Sequence, residues 1–193
     1  MRCALVALLF LCAACRSREP QTSLPVLQTI PDFHLVDQDG HEFGLAQMNH
    51  HVWVANFIFT RCPSICPTFT AQMGALEKDA RAKNVPVQFM SFSVDPGHDS
   101  PEVLRAWAKE HAVDWTLLTG TVDQIQAAVV GGLKIAAKPV GPDDDLASVF
   151  HGTHFVVIDG AGHIRGYYDS SEPARVDRIV PDAALIAAEV DRR

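Results

Sequence analysis

The stretch Val52-Trp53-Val54-Ala55-Asn56-Phe57-Ile58-Phe59 runs directly into Thr60-Arg61-Cys62-Pro63-Ser64-Ile65-Cys66-Pro67. Its first half is almost continuously apolar and β-favouring, the pattern of a central strand covered on both faces. The second half carries two cysteines four apart and leads into Phe69, Met73, Leu76 and Ala80, which recur at helical spacing. Residues 85–94 repeat the buried-strand pattern. Strand, helix and strand in that order imply a parallel pair joined by a right-handed crossover, with the cysteines at the strand-to-helix turn.

The flanking sequence extends this unit in both directions. Upstream, residues 32–36 and 42–45 around Asp39-Gly40 read as a small extra hairpin. Downstream, Ser100-Pro101 starts a helix with Val103, Leu104 and Trp107 on one face and Glu102, Arg105 and Lys109 off it. Thr121 with Gln124 is a capping-box start for a further helix carrying Val122, Ile125 and Val129. A Gly/Pro/Asp-rich loop over residues 131–145 follows. Residues 155–158 and 164–168 then flank Asp159-Gly160-Ala161-Gly162 as a hairpin. Residues 172–190 are helical in pattern, with Pro181 predicting a kink or a restart. The predicted fold class is α/β: a parallel βαβ followed by an antiparallel ββα, the thioredoxin arrangement, with an N-terminal β-hairpin and an inserted helix. No internal repeat is visible.

Composition narrows the possible partners. The chain has 193 residues, 48% of them hydrophobic, and 16 Lys+Arg against 23 Asp+Glu give a formal net charge of −7. That is a packed domain rather than a disordered chain, and an acidic balance argues against nucleic acid, whose backbone needs clustered positive charge. Arg2 precedes an uncharged, mostly apolar run over residues 3–15, which as a helix would span about 20 Å, too short for a bilayer core. A charged start, a short apolar core and small residues before a break form the pattern of a secretory signal. Leu11-Cys12-Ala13-Ala14-Cys15 resembles the bacterial lipoprotein signal, although Cys12 stands where that signal usually has Leu. The expected organisation is a signal peptide at 1–14, a lipid-attachment Cys15 with a linker to residue 29, and the folded domain at 30–193. The alternative is an ordinary cleaved signal with Cys15 removed or idle. On the lipoprotein reading the odd count of five cysteines leaves only Cys62 and Cys66 as thiols of the folded domain.

Cysteines four apart at a helix start lie on one face a turn apart, within reach of each other or of a shared metal ion. The helix N-terminus stabilises thiolates, so both sulfurs are expected to serve as ligands or nucleophiles at neutral pH. Two sulfurs leave a metal underligated. Of the nine histidines, His34, His41, His50, His51, His98, His111 and His163 fall in predicted turns, polar strand edges or helix surfaces. His151 and His154 lie just before and at the start of the strand that runs beside the cysteine loop. Alternation sends His151, Thr153 and Phe155 to one face and Gly152 and His154 to the other, so only one of the two histidines faces the cysteines. Thioredoxin-like oxidoreductases usually carry a proline just before this strand, whereas Phe150-His151-Gly152-Thr153 has none. Two thiolates and one imidazole form a soft, three-coordinate set suited to Cu(I) and able to hold Cu(II), while structural zinc wants four ligands.

Cys62-Pro63-Ser64-Ile65-Cys66-Pro67 and Ser93-Val94-Asp95-Pro96-Gly97-His98-Asp99-Ser100-Pro101, with Trp115 and Leu118-Thr119-Gly120 beyond, resemble the motifs of the Sco/SenC family, copper-binding assembly factors for cytochrome c oxidase. The resemblance covers most of the mature chain. In that family the histidine lies eight residues before the Asp of a strand-ending turn, which here selects His151 over His154. The resemblance therefore implies Cys62, Cys66 and His151 as copper ligands, and Cys62 and Cys66 as a redox-active pair able to form a disulfide. It implies an oxidase copper-binding subunit as recipient, other copper chaperones or thiol reductants as further partners, and an exported chain held at the membrane by its lipid. Many members have Asp before the histidine where this chain has Phe150, and lack of that group bears on copper affinity. Asp95 and Asp99 either compensate for it or merely cap the helix and form the turn ahead of Pro101.

Two other chemistries fit the cysteine pair. In a thiol-disulfide oxidoreductase Cys62 would attack and Cys66 resolve, keeping the oxidase copper-site cysteines reduced. A purely structural Cys62–Cys66 bridge would close too short a loop to stabilise much. A peroxidase site would place Thr or Ser three residues before the reactive cysteine, where Phe59 stands.

Overall fold

The computed structural model describes residues 23–62, 66–137 and 152–190. The expected signal peptide, Cys15, the first part of the linker and His151 lie outside the described residues. In chain order the elements are β1 (Gln28–Thr29), β2 (Leu35–Asp37), β3 (Glu42–Phe43), α1 (Leu45–Met48), β4 (Val52–Ile58), α2 (Cys66–Ala82), β5 (Val87–Ser93), α3 (Pro101–Glu110), β6 (Thr116–Thr119) and α4 (Val122–Ile125), which runs on as a π-helical stretch over Gln126–Gly132. β7 (His154–Ile158), β8 (His163–Asp169), α5 (Pro173–Val176) and α6 (Ile179–Val190) complete it.

One sheet holds all eight strands in the order β1-β8-β7-β4-β5-β6-β2-β3. Its centre is the predicted unit: β4 and β5 pair in parallel from Val52↔Val87 to Ile58↔Ser93, and β7 joins β4 antiparallel through Val54↔Val157. Every residue of β4 is buried, as a strand covered on both faces requires. α6 and α2 pack together on one face, where Phe69 meets Phe155 at 4.6 Å and Tyr168 donates to Asp182. The opposite face holds the π-helical stretch, whose end receives a hydrogen bond from Tyr167 at the Leu133 carbonyl.

Local signals acted as read. Ser100 caps α3 by accepting from the Val103 amide, with Pro101 as its first residue. Thr121 and Gln124 form the capping box of α4. Asp159 accepts from the Ala161 and His163 amides, and Gly162 takes the positive φ of 77° that closes the β7–β8 turn. Pro181 sits in the first turn of α6, so the helix restarts at Ile179, where a missing N–H costs nothing.

Three readings change. Residues 116–119, which no predicted element covers, form β6, parallel to β5 through Met90↔Thr116 and receiving the β2–β3 hairpin on its outer edge. The second arm of that hairpin ends at Phe43, and Leu45 opens α1 instead of continuing the strand. The end of the linker is not a free tether: Leu27 donates to the Ile164 carbonyl, β1 pairs with β8, and Arg165 Nη2 reaches the Leu24 carbonyl at 2.6 Å. An edge strand offers unpaired backbone groups, and the linker satisfies them.

Candidate metal centre

β4 delivers the chain to the C-terminal edge of the sheet, where it turns through Phe59, Thr60 and Arg61 to reach Cys62. The Cys62 amide donates to the Phe59 carbonyl at 3.2 Å, closing the turn. Cys66 opens α2, and its amide donates to Cys62 Sγ at 3.4 Å, the contact by which a helix N-terminus supports negative charge on sulfur. Both cysteines are present as thiols, Cys62 half-buried and Cys66 buried at 2% exposure. The two sulfurs therefore converge on one helix start as the spacing predicts.

Their protonation differs from the expectation. Burial, followed by the hydrogen bond with Cys62, pushes the Cys66 thiol well above the ordinary cysteine range, and the charge of Asp99 adds to this against an opposing backbone hydrogen bond at Phe59. Cys66 is a protonated thiol at neutral pH. The helix N-terminus does not outweigh the loss of solvent around it.

Asp95 and Asp99 neither cap α3 nor stand free. Asp99 is fully buried and accepts from the Thr60 amide at 3.1 Å, the Thr60 hydroxyl at 2.5 Å and the Ser93 hydroxyl at 2.5 Å. His98 Nδ1 lies 3.0 Å from the same carboxylate and 3.3 Å from the Thr60 hydroxyl. Asp95 receives Arg61 through Nε at 2.9 Å and Nη2 at 2.7 Å. Burial raises the Asp95 carboxyl above its usual range; Arg61 opposes that shift and neighbouring Asp99 reinforces it. Both aspartates thus hold the two residues directly ahead of Cys62. Thr60, Arg61 and Ser93 were not singled out as supports from sequence, since nothing in a linear pattern pairs residue 60 with residue 99. His98, read as a surface histidine, is exposed and yet belongs to this network.

The two candidate histidines fare differently. His154 is half-buried at the start of β7, opposite Asp169, and its ring lines a groove with Ile135 and Tyr167 on the face away from α2. Phe155 instead packs on α2, three residues into that helix from Cys66. Gly152 is buried so tightly that a Cβ would come within 2.4 Å of Ile135 Cγ2, which packs the chain just ahead of β7 against the segment that follows the π-helical stretch.

Among the described residues, two groups of ligand-type side chains cluster within 4.8 Å: Asp95 with His98 and Asp99, and Asp37 with Asp39 and His41. The first is the support network above. In the second, the Asp37 carboxylate accepts from the Asp39 and His41 amides and shapes the β2–β3 turn. No helix among the described residues is long and apolar enough to cross a membrane.

The SCO1 protein homolog of Bacillus subtilis is 35% identical over 179 residues, covering 90% of this chain and 89% of its own. The structure of BsSco, described as a member of the Sco family of cytochrome c oxidase assembly proteins with a disulfide switch, matches with a TM-score of 0.75 and 30% identity over 86% of this chain and 98% of its own. Yeast Sco1 with copper bound matches with a TM-score of 0.69 and 27% identity over 80% and 87% of the two chains. The SCO1/SenC family model matches residues 21–183, spanning the cysteine turn, its aspartate supports and the sheet that carries them, and the chain belongs to that family.

Proposed function

We propose that Cys62, Cys66 and His151 bind a single copper ion as cargo and that the protein delivers it to the copper-binding subunit of cytochrome c oxidase. The observation that carries this reading is the convergence of two sulfurs at the start of α2, one half-buried and the other buried, with the Cys66 amide on Cys62 Sγ. A soft, thiol-rich pair of this kind fits copper in either oxidation state. His151 is chosen over His154 because the family resemblance puts the ligand histidine eight residues before Asp159, and because His154 lies on the face of β7 away from α2.

Metal loading displaces the Cys66 proton, because the thiolate is the ligand. With that thiol raised, apparent copper affinity increases with pH by about tenfold per unit through the neutral range. Anaerobic copper titration of the mature chain tests the assignment. One equivalent bound by the wild type, and a large loss in His151→Ala and in the double variant Cys62→Ser/Cys66→Ser, is the expected outcome. Full retention of binding in either variant defeats it.

A second reading, thiol-disulfide exchange, draws on the asymmetry of the pair. Cys62 thiolate would attack a partner disulfide, forming a mixed disulfide and releasing one partner thiolate. Cys66 would then lose its proton and attack Cys62 Sγ, forming the Cys62–Cys66 disulfide and leaving the partner a dithiol. The raised Cys66 thiol makes that second step slow near neutrality. His151→Ala separates the two: exchange survives it and copper binding does not.

The lipid reading of Cys15 gains a geometric consequence. Since the linker is docked from Leu24 onward, only eight residues separate it from Cys15, a reach of about 30 Å at full extension. The domain would then ride close to the membrane surface. Loss of labelled-lipid incorporation in Cys15→Ser tests this.

A further inference from the structure

The segment that joins β4 to Cys62 is short, and the Cys62 amide closes it on the Phe59 carbonyl. Two carboxylates anchor it further: Asp95 takes the Arg61 side chain, and Asp99 takes Thr60. Asp99 takes the Thr60 amide on Oδ2 and the Thr60 hydroxyl on Oδ1, so one residue is gripped at two points that together restrict its backbone and its side-chain rotamer. Asp99 is itself immobilised. Its Oδ2 also accepts from Ser93 at the end of β5, its amide donates to the Asp95 carbonyl, and it has no solvent exposure. A continuous path of support therefore runs from the central strand β5 through Ser93, Asp99 and Thr60 to the residue two places before Cys62.

The carboxylate is poorly suited to a different role. Both its oxygens are engaged by three donors, with His98 Nδ1 at 3.0 Å closing the outer side. A buried carboxylate needs its hydrogen-bonding capacity filled, and among the described residues Thr60, Ser93 and His98 fill it at the cysteine turn and the end of β5.

We propose that Asp99 is a positioning residue for the metal centre, acting through Thr60 to set where Cys62 Sγ stands relative to Cys66. The inference rests on the copper reading above for its main readout and deepens it. Sulfur placement governs both the strength of a metal–thiolate set and its electronic spectrum, whereas global stability does not report on it.

The test compares Thr60→Val, Thr60→Ser and Asp99→Asn with Ser91→Ala. Ser91→Ala removes buried hydrogen bonds to Asn56 and Trp115 away from the cysteine turn and serves as a stability control. Thr60→Val and Asp99→Asn should weaken copper binding roughly tenfold and shift the thiolate-to-Cu(II) charge-transfer band. Thr60→Ser, which keeps both donors, should bind within about twofold of wild type, and Ser91→Ala should lose stability with its spectrum unchanged. The inference is overturned if Thr60→Val and Asp99→Asn match the wild type in affinity and spectrum, or if Ser91→Ala shifts the band as much as they do. If the wild type binds no copper, the copper reading fails separately, and alkylation of Cys62 by iodoacetamide decides the positioning claim. A change of threefold or more in that rate in Thr60→Val, absent in Thr60→Ser and Ser91→Ala, sustains it, and equal rates overturn it.

Discussion

Asp95 and Asp159 are both buried, each is paired with an arginine, each has a histidine nearby, and they stand at opposite ends of β4, roughly 20 Å apart by strand length. Their carboxyls nonetheless shift in opposite directions. At Asp159 burial favours the neutral form, but hydrogen bonds from the His163 amide and ring and the Ala161 amide outweigh it and hold the carboxyl below its usual range. Its partner Arg165 is buried as well, at 4% side-chain exposure, and reaches Glu189 and the Leu24 carbonyl. At Asp95 burial prevails, because its one cation, Arg61, is 38% exposed and a second carboxylate, Asp99, lies beside it. At the far end donors outweigh burial and favour the carboxylate, whereas at the cysteine end burial prevails. One kind of side chain with similar neighbours is used for two purposes, and what differs is the number of donors around it.

The contrast can be broken most sharply by one substitution at each end. Cys66→Ala should reduce copper affinity by well over 100-fold, beyond the ~10 to 100-fold typical of a lost supporting group, while calorimetry shows a folded domain. Arg165→Met should do the reverse. Removing the cation from between Asp159 and Glu189 leaves buried carboxylates unpaired and costs about 3–5 kcal/mol in denaturant unfolding, with the copper spectrum unaltered. If Arg165→Met abolished copper binding in a folded protein, the division between the two ends would be wrong.

Smaller changes sharpen it. Gly152→Ala forces a methyl against Ile135 and should destabilise by about 1–3 kcal/mol. Asp159→Asn should cost about 1–3 kcal/mol, since it weakens acceptors for several buried donors, and Asp95→Asn less than about 1 kcal/mol, since its charge is already disfavoured. The pH profile gives the smallest and most specific effect. A carboxyl lowered on folding contributes stability above its unfolded value near 4, and loses it as pH falls through the folded value. Wild-type stability should therefore decline more steeply below about pH 4 than that of Asp159→Asn. Asp95 has the opposite sign: its raised carboxyl favours the protonated native form, so Asp95→Asn should remove a small loss of stability that develops as pH rises past that range.

Much of this architecture was legible because its signals are local or periodic. The buried runs of β4 and β5, the Ser100-Pro101 and Thr121–Gln124 caps and the Asp159–Gly162 turn each encode their own geometry over a few residues. β6 escaped notice because Thr116–Thr119 is only four residues long and acquires its strand character from pairing with β5 and β2. The docking of the linker escaped it for a similar reason: polar, proline-containing sequence reads as tether until an edge strand and a buried arginine are brought to it. At the site, the cysteine pair was apparent from spacing alone.

By itself, then, the sequence determined where the sulfurs lie relative to a strand and a helix, because that depends on periods of two and 3.6 residues and on capping chemistry a turn long. Only the tertiary structure decided what surrounds them. Whether Cys66 is ionised depends on burial contributed by elements far along the chain, and whether Asp99 caps its own helix or grips Thr60 depends on β5 ending beside β4. Solvation and long-range hydrogen bonding are properties of the packed whole, and no local pattern carries them.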